Sequence, residues 1–213
     1  TSRAFPGQPG IETPEQIAGW RRVAKSVHDS GGRIFMQVMN GGRLSHASLL
    51  EGAEPAAPSA LASGTAVRDF ESRKECPVPR ALDSEEMPRI IDEFRQAARN
   101  AIDAGMDGVE IHGANGYLLH QFLSPSSNHR DDAYGGSPQK RYRLVEEILR
   151  AVAEEIGADR LALRLSPQNN IQGIEESDAE DVRATYGGLL RAIEDLGLAY
   201  VCLLYTSLMA RGR

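Results

Sequence analysis

With 213 residues, 41% apolar and 25% charged, the chain can bury one sizeable core and does not have the composition of a disordered segment. A formal net charge of -6, a pI near 5.4 and the lack of any Lys or Arg run argue against a nucleic-acid partner. No stretch of about 18 apolar residues could span a membrane.

The chain opens on Thr1-Ser2-Arg3 and a Gly/Pro-rich stretch, Pro6 to Gly10, which reads as a loop entered mid-protein without a signal peptide. Thr13-Pro14-Glu15 then begins a helix, with Thr as N-cap and Pro at the first helical position. Ile17, Trp20, Val23, Ala24 and Val27 keep helical spacing until Gly31-Gly32. The β-rich run Arg33 to Met39 follows at once. Residues 41–82 carry many Gly, Ala, Ser and Pro and no sustained period, so they predict a long loop or hairpin excursion of the kind that is usually functional.

The helix–strand pattern then repeats. A helix from Ser84 to about Ala104 leads to the strand Gly108 to His112, and one from about Lys140 to Ile156 leads to Arg160 to Leu165. A last helix, from about Asp178 to Leu196, leads to Leu198 to Val201. Short helix-to-strand turns and long strand-to-helix loops imply a parallel sheet. No Gly-rich dinucleotide turn follows any strand, which weakens an open doubly wound sheet. The expected fold class is therefore α/β, a partial TIM (β/α)8 barrel with about four of its eight units, chemistry lying at the C-terminal strand ends. The two cysteines, Cys76 and Cys202, have no metal-type spacing, so no metal site is expected and a reducing cytoplasm is the simplest setting.

Three strands carry residues that a plain core would not choose. Gln37 sits in an otherwise apolar strand, His112 closes the second, and Arg164 lies between Leu163 and Leu165. A Gln can bridge backbone groups and a strand-end His can be a satisfied structural residue. The Arg needs an anion or acceptor, because its charge cannot be neutralised. Together they suit either those structural roles or a polar heterocycle or phosphate-bearing cofactor. His112 and Asn115 can each donate a hydrogen bond to one substrate oxygen, and the Tyr117 hydroxyl can supply a proton. Tyr117 can equally belong, with Leu118, Leu119 and Phe122, to the apolar face of a short helix.

The stretch from His112-Gly113-Ala114-Asn115-Gly116-Tyr117 to Ser124-Pro125, followed by Asn128 to Ser137, resembles the signature of the Old Yellow Enzyme (NADH:flavin oxidoreductase) family. Pro9-Gly10-Ile11, Gly31 to Phe35, Gly42 to His46, Ala57 to Ala60, Pro79 to Leu82 and Leu163 to Pro167 extend the resemblance in order. It implies an FMN-containing barrel that uses NAD(P)H to reduce activated C=C bonds, and sometimes nitro or nitrate-ester compounds. By the same resemblance, Gln37 and Arg164 contact the flavin together with His112, while His112 and Asn115 hold the substrate oxygen. Tyr117 is then the proton donor and Met39 a substrate-lining residue. Asn40 departs from the His usual after Met39, and Lys140 stands where Asn is usual.

The resemblance also implies that the first two and last two barrel strands, with the FMN-phosphate loops, lie outside this chain. The expected division is residues 1–201 as the central part of the barrel and 202–213 as a non-native tail that matches a reading frame of a sequencing adapter. The partners implied are a small-molecule substrate and, for the full-length enzyme, a second copy of itself in a homo-oligomer; nucleic acid and membrane are not among them. Two alternatives stay open: the barrel of a dienoyl-CoA reductase-like multidomain enzyme, and a non-catalytic fragment without stable FMN binding.

Overall fold

Thr13 caps helix α1 (Pro14–Asp29) as the sequence predicts, its side chain accepting the Gln16 N–H while the Gln16 side chain accepts the Thr13 N–H at 3.2 Å. The computed structural model describes residues 2–204. Strand β1 (Phe35–Val38) follows, shorter at both ends than the β-rich run suggested.

The expected excursion holds four short strands: β2 (Ala56–Ala57), β3 (Ala66–Arg68), β4 (Arg73–Glu75) and β5 (Arg80–Ala81). β3 and β4 make an antiparallel hairpin, whereas β2 and β5 pair in parallel. A 3-10 turn at Ser84–Glu86 then feeds helix α2 (Met87–Asp103) and strand β6 (Gly108–Gly113). Next come the short helix α3 (Leu118–Leu123), helix α4 (Pro138–Ile156) and strand β7 (Leu161–Leu165).

Helix α5 (Ala179–Ala192) is capped by the Asp178 carboxylate and stops four residues before the sequence suggested. The remainder is a 3-10 turn that leaves Gly197 left-handed, at φ 69°. The last strand, β8 (Tyr200–Leu203), consequently starts two residues later than expected and runs past Val201. Cys202 and Leu203 of the expected tail lie within β8; residues 205–213 lie outside the described residues.

The main sheet has the order β1-β6-β7-β8, every pair parallel. A parallel step needs a long crossover, and helices supply it on one face. α2, α4 and α5 pack side by side there. Met36, Val109, Ile111, Leu161, Leu163 and Leu165 point outward into that layer and meet Phe94, Leu144, Ile148, Leu149 and Leu189, all buried. The four strands are half of the eight that close a barrel. Among the described residues, β1 and β8 each have one strand neighbour in this sheet.

The loop after α3 owes its shape to the Asn128–Gly135 motif. Asn128 Nδ2 donates to the carbonyls of Phe122 and Tyr134, both at 2.8 Å, and Arg130 reaches the carbonyls of Pro58 and Leu82. A motif legible as a family signature thus staples the excursion to the barrel wall. Inside the barrel face, Gly108 lies under the Phe35 ring and against the Arg160 carbonyl, so a Cβ has no room there. Gly108→Ala is expected to cost about 1–3 kcal/mol of stability. Urea unfolding monitored by circular dichroism checks this.

Candidate active site

Strand side chains alternate, so the residues that do not face the helices all share the inner face. The register places Gln37 opposite Glu110, and His112 opposite Arg164, which in turn pairs with Cys202. Gln37, His112 and Arg164, singled out in the sequence, therefore stand on one face. His112 and Arg164 are immediate neighbours, and Gln37 lies one inner-face step deeper.

His112 is 4% exposed, yet neither ring nitrogen has a hydrogen-bond partner among the described residues. Arg164 Nε is likewise buried and unpaired, its Nη1 meeting only Cys202 Sγ at 3.5 Å. Buried polar atoms are nearly always satisfied, so such orphans mark places where a ligand belongs. Burial, aided by the positive Arg164 and by His120, pushes the His112 pKa down to about 4. The imidazole is thus neutral at neutral pH, with one N–H to donate.

The loop leaving β6 carries Asn115 and Tyr117. Asn115 is left-handed, φ 56°, and three bonds hold it there. Its N–H donates to Ser166 Oγ at 2.9 Å, its carbonyl accepts from Gln172 Nε2 at 2.9 Å, and its Oδ1 accepts from Asn169 Nδ2 at 3.2 Å. Its own Nδ2 is thereby left to donate elsewhere. The Tyr117 ring lies 5.3 Å from that of His112 between centroids. Burial raises the Tyr117 pKa, partly offset by a hydrogen bond from Gln172, so the phenol keeps its proton. Met39 packs with Ala4, Leu44 and Tyr117, beside the same mouth. Asn40 Oδ1 accepts the Gly42 N–H at 3.0 Å, so this departure from the usual His forms a turn at the end of β1.

Behind this loop lies a polar layer that the sequence reading missed. His120 is fully buried; its Nδ1 accepts the Gly116 N–H at 2.9 Å and its Nε2 faces Glu176 Oε1 at 3.3 Å. Glu176 also accepts from the Tyr186 hydroxyl at 2.7 Å and the Gln168 N–H at 2.8 Å. Gln121 Nε2 donates to the Gly116 and Gly41 carbonyls at 2.7 and 3.2 Å. No periodic signal marks these loop partners. Glu110 was legible in principle, since a carboxylate two residues before His112 on a strand must share its face.

The parallel β/α segment thus gathers a neutral imidazole, a phenol that keeps its proton and a guanidinium with a buried unpaired Nε at and just beyond the ends of β6 and β7, a set able to bind a polar ligand and hold a proton beside it. Residues 1–201 match the NADH:flavin oxidoreductase / NADH oxidase family, and the chain belongs to that family. It is 46% identical over 176 residues to the flavin oxidoreductase hxnT of Emericella nidulans, covering 83% of this chain and 45% of that protein. A probable flavin mononucleotide-dependent alkene reductase of Leishmania infantum is 45% identical over 183 residues, covering 83% and 50%. The solved structure of the old yellow enzyme homologue from Zymomonas mobilis superposes with a TM-score of 0.90 at 38% identity, over 95% of this chain and 56% of that one. The chain thus spans about half the length of the curated relatives it matches, and its fold is the corresponding part of their barrel.

The depressed His112 pKa has a consequence for stability. An unfolded chain holds this proton below pH about 6.5, whereas the folded one takes it up only near 4. Between those values the unfolded state binds more protons, so stability is lost as the pH falls through the window, by on the order of 3 kcal/mol from this group. Urea titrations at pH 7.5, 6, 5 and 4 are expected to show that part of the slope in the wild type and not in His112→Gln.

Proposed function

We propose that the parent protein is an FMN-dependent ene-reductase that uses NAD(P)H to reduce activated C=C bonds, with α,β-unsaturated carbonyl compounds as the substrate class and nitro or nitrate-ester compounds as further acceptors. The observation that carries this reading is His112, buried with both ring nitrogens unpartnered among the described residues and its ring 5.3 Å from that of Tyr117. Gln37 and Arg164 are the residues of this chain that would hold the flavin ring, and their inner-face position suits a flat polar heterocycle. Arg164 supplies positive charge where a reduced ring is electron-rich. FMN, when bound, supplies the hydride.

The chain's own residues do the rest. The His112 N–H and the Asn115 Nδ2–H donate to the carbonyl oxygen, drawing electron density from the conjugated double bond and polarising its β-carbon. Because His112 is neutral, it polarises the carbonyl without handing over a proton. Tyr117 would give its phenolic proton to the α-carbon, the complement of a hydride gained at the β-carbon, so that the double bond is saturated, and solvent would reprotonate the phenol. Met39, against Tyr117, shapes the apolar side of the mouth.

The full-length enzyme carrying this segment is expected to purify yellow with FMN and to oxidise NAD(P)H when cyclohexenone is added; a colourless protein that binds no FMN overturns the reading. In it, Tyr117→Phe is expected to slow cyclohexenone reduction by roughly 10²-fold or more, the usual contribution of a placed acid, while NAD(P)H still bleaches the flavin at the wild-type rate. Stopped-flow measurement of the two half-reactions separates these effects.

The 213-residue chain by itself is expected to bind FMN weakly, because β1 and β8 each lack a second strand neighbour among the described residues and unpaired edges favour association over closure. A fluorescence-quenching titration that gives tight one-to-one FMN binding contradicts this expectation.

A further inference from the structure

Glu110 is a buried carboxylate on the inner face that the proposed chemistry does not use. It stands in one register row with Gln37 of β1, Ala162 of β7 and Tyr200 of β8. Gln37 Nε2 donates to its Oε1 at 2.6 Å, and Tyr200 stands in the same row on the other side of the small Ala162. The Phe35 ring, one inner-face step before Gln37 on β1, meets the Tyr200 ring at 5.7 Å between centroids.

The chemistry of the pair is asymmetric. A side-chain amide can usually be turned end for end, since its oxygen and nitrogen are similar in size. An ionised carboxylate only accepts, so it receives the amide nitrogen and repels the amide oxygen. With Nε2 donating to Glu110 Oε1 at 2.6 Å, the Gln37 amide keeps Oε1 and its second N–H without another side-chain partner among the described residues. An acceptor beside a donor is the complement of an N–H beside a carbonyl, the pattern on the edge of a cyclic imide.

We propose that Glu110 is a positioning residue that locks the Gln37 amide in this orientation, so that strand β1 offers a paired acceptor and donor to an imide-edged heterocycle lying on the inner face. The proposal rests on the reading above for the identity of that heterocycle, the flavin pyrimidine edge, and not for the orientation itself. Glu110 acts only through Gln37 and touches neither substrate nor the reacting atoms.

Two measurements test it. In the 15N-labelled full-length protein without FMN, the Gln37 side-chain amide is expected to show one proton shifted downfield and slowed in exchange, a signature lost in Glu110→Gln, whose amide can pair with Gln37 either way round. A Gln37 amide unchanged by Glu110→Gln overturns the locked orientation. In the full-length holoenzyme, Glu110→Gln is expected to weaken FMN binding about tenfold in the wild-type background and to have no further effect in Gln37→Ala, as coupled residues behave. Equal losses in both backgrounds overturn the claim that Glu110 works through Gln37. If the wild-type full-length protein binds no FMN, the flavin reading fails with the ligand half of this proposal, while the amide spectrum still decides the orientation.

Discussion

The candidate site depends on the register of β6 between its two parallel neighbours. Side chains on a strand alternate with a period of two, so a slip of one residue against β1 or β7 would send Glu110 and His112 into the helix layer and bring Val109 and Ile111 to the inner face. Burying a carboxylate among Phe94, Leu144 and Ile148 would cost several kcal/mol, and exposing two branched aliphatics would add to it. The hydrophobic layer that stabilises the sheet therefore also aims the chemistry. Gly108 at the start of β6 supports this arrangement by leaving room for the Phe35 ring.

The loop beyond β6 is held by polar groups. His120 and Gln121 point from α3 back toward Gly116, and Ser166, Asn169 and Gln172 reach across from the segment after β7. Each bond is made by a group that would be expensive to bury unpaired, so the loop cannot relax without leaving buried donors unsatisfied. That rigidity keeps Asn115 in a left-handed conformation that a non-glycine residue seldom adopts. Against this well-satisfied background, the nitrogens of His112 and Nε of Arg164 are, on the inner face, buried without a hydrogen-bond partner among the described residues.

Charge on the inner face is divided between two levels. Glu110 lies in the row of Gln37 and Tyr200, and Arg164 lies one step nearer the mouth, beside His112. Arg164 contributes to keeping His112 unprotonated, so the same cation that suits an electron-rich ring also holds the neighbouring imidazole neutral. The excursion and the Asn128–Gly135 loop act at a distance from this face, by fixing the outer wall through Arg130 and Asn128.

Much of the architecture was legible before any coordinates. Helical spacing with a Thr13 cap, glycine stops and apolar strands reports local physics, and local physics is written locally. So were Gln37, His112 and Arg164, because polar residues inside apolar strands contradict the pattern around them. The sequence alone determined the class of fold, the order of its units and the three strand residues to watch. It did not determine where α5 ends, where the chain tightens into a 3-10 turn at Glu194–Leu196 before the left-handed Gly197, or the parallel β2–β5 pair, which joins residues 24 positions apart. Nor could it disclose Glu110 as the partner of Gln37, 73 residues away, or His120 as that of Glu176, 56 residues away. Those were decided by the tertiary structure alone, because hydrogen bonds between distant segments depend on register and burial and leave no periodic trace in the chain.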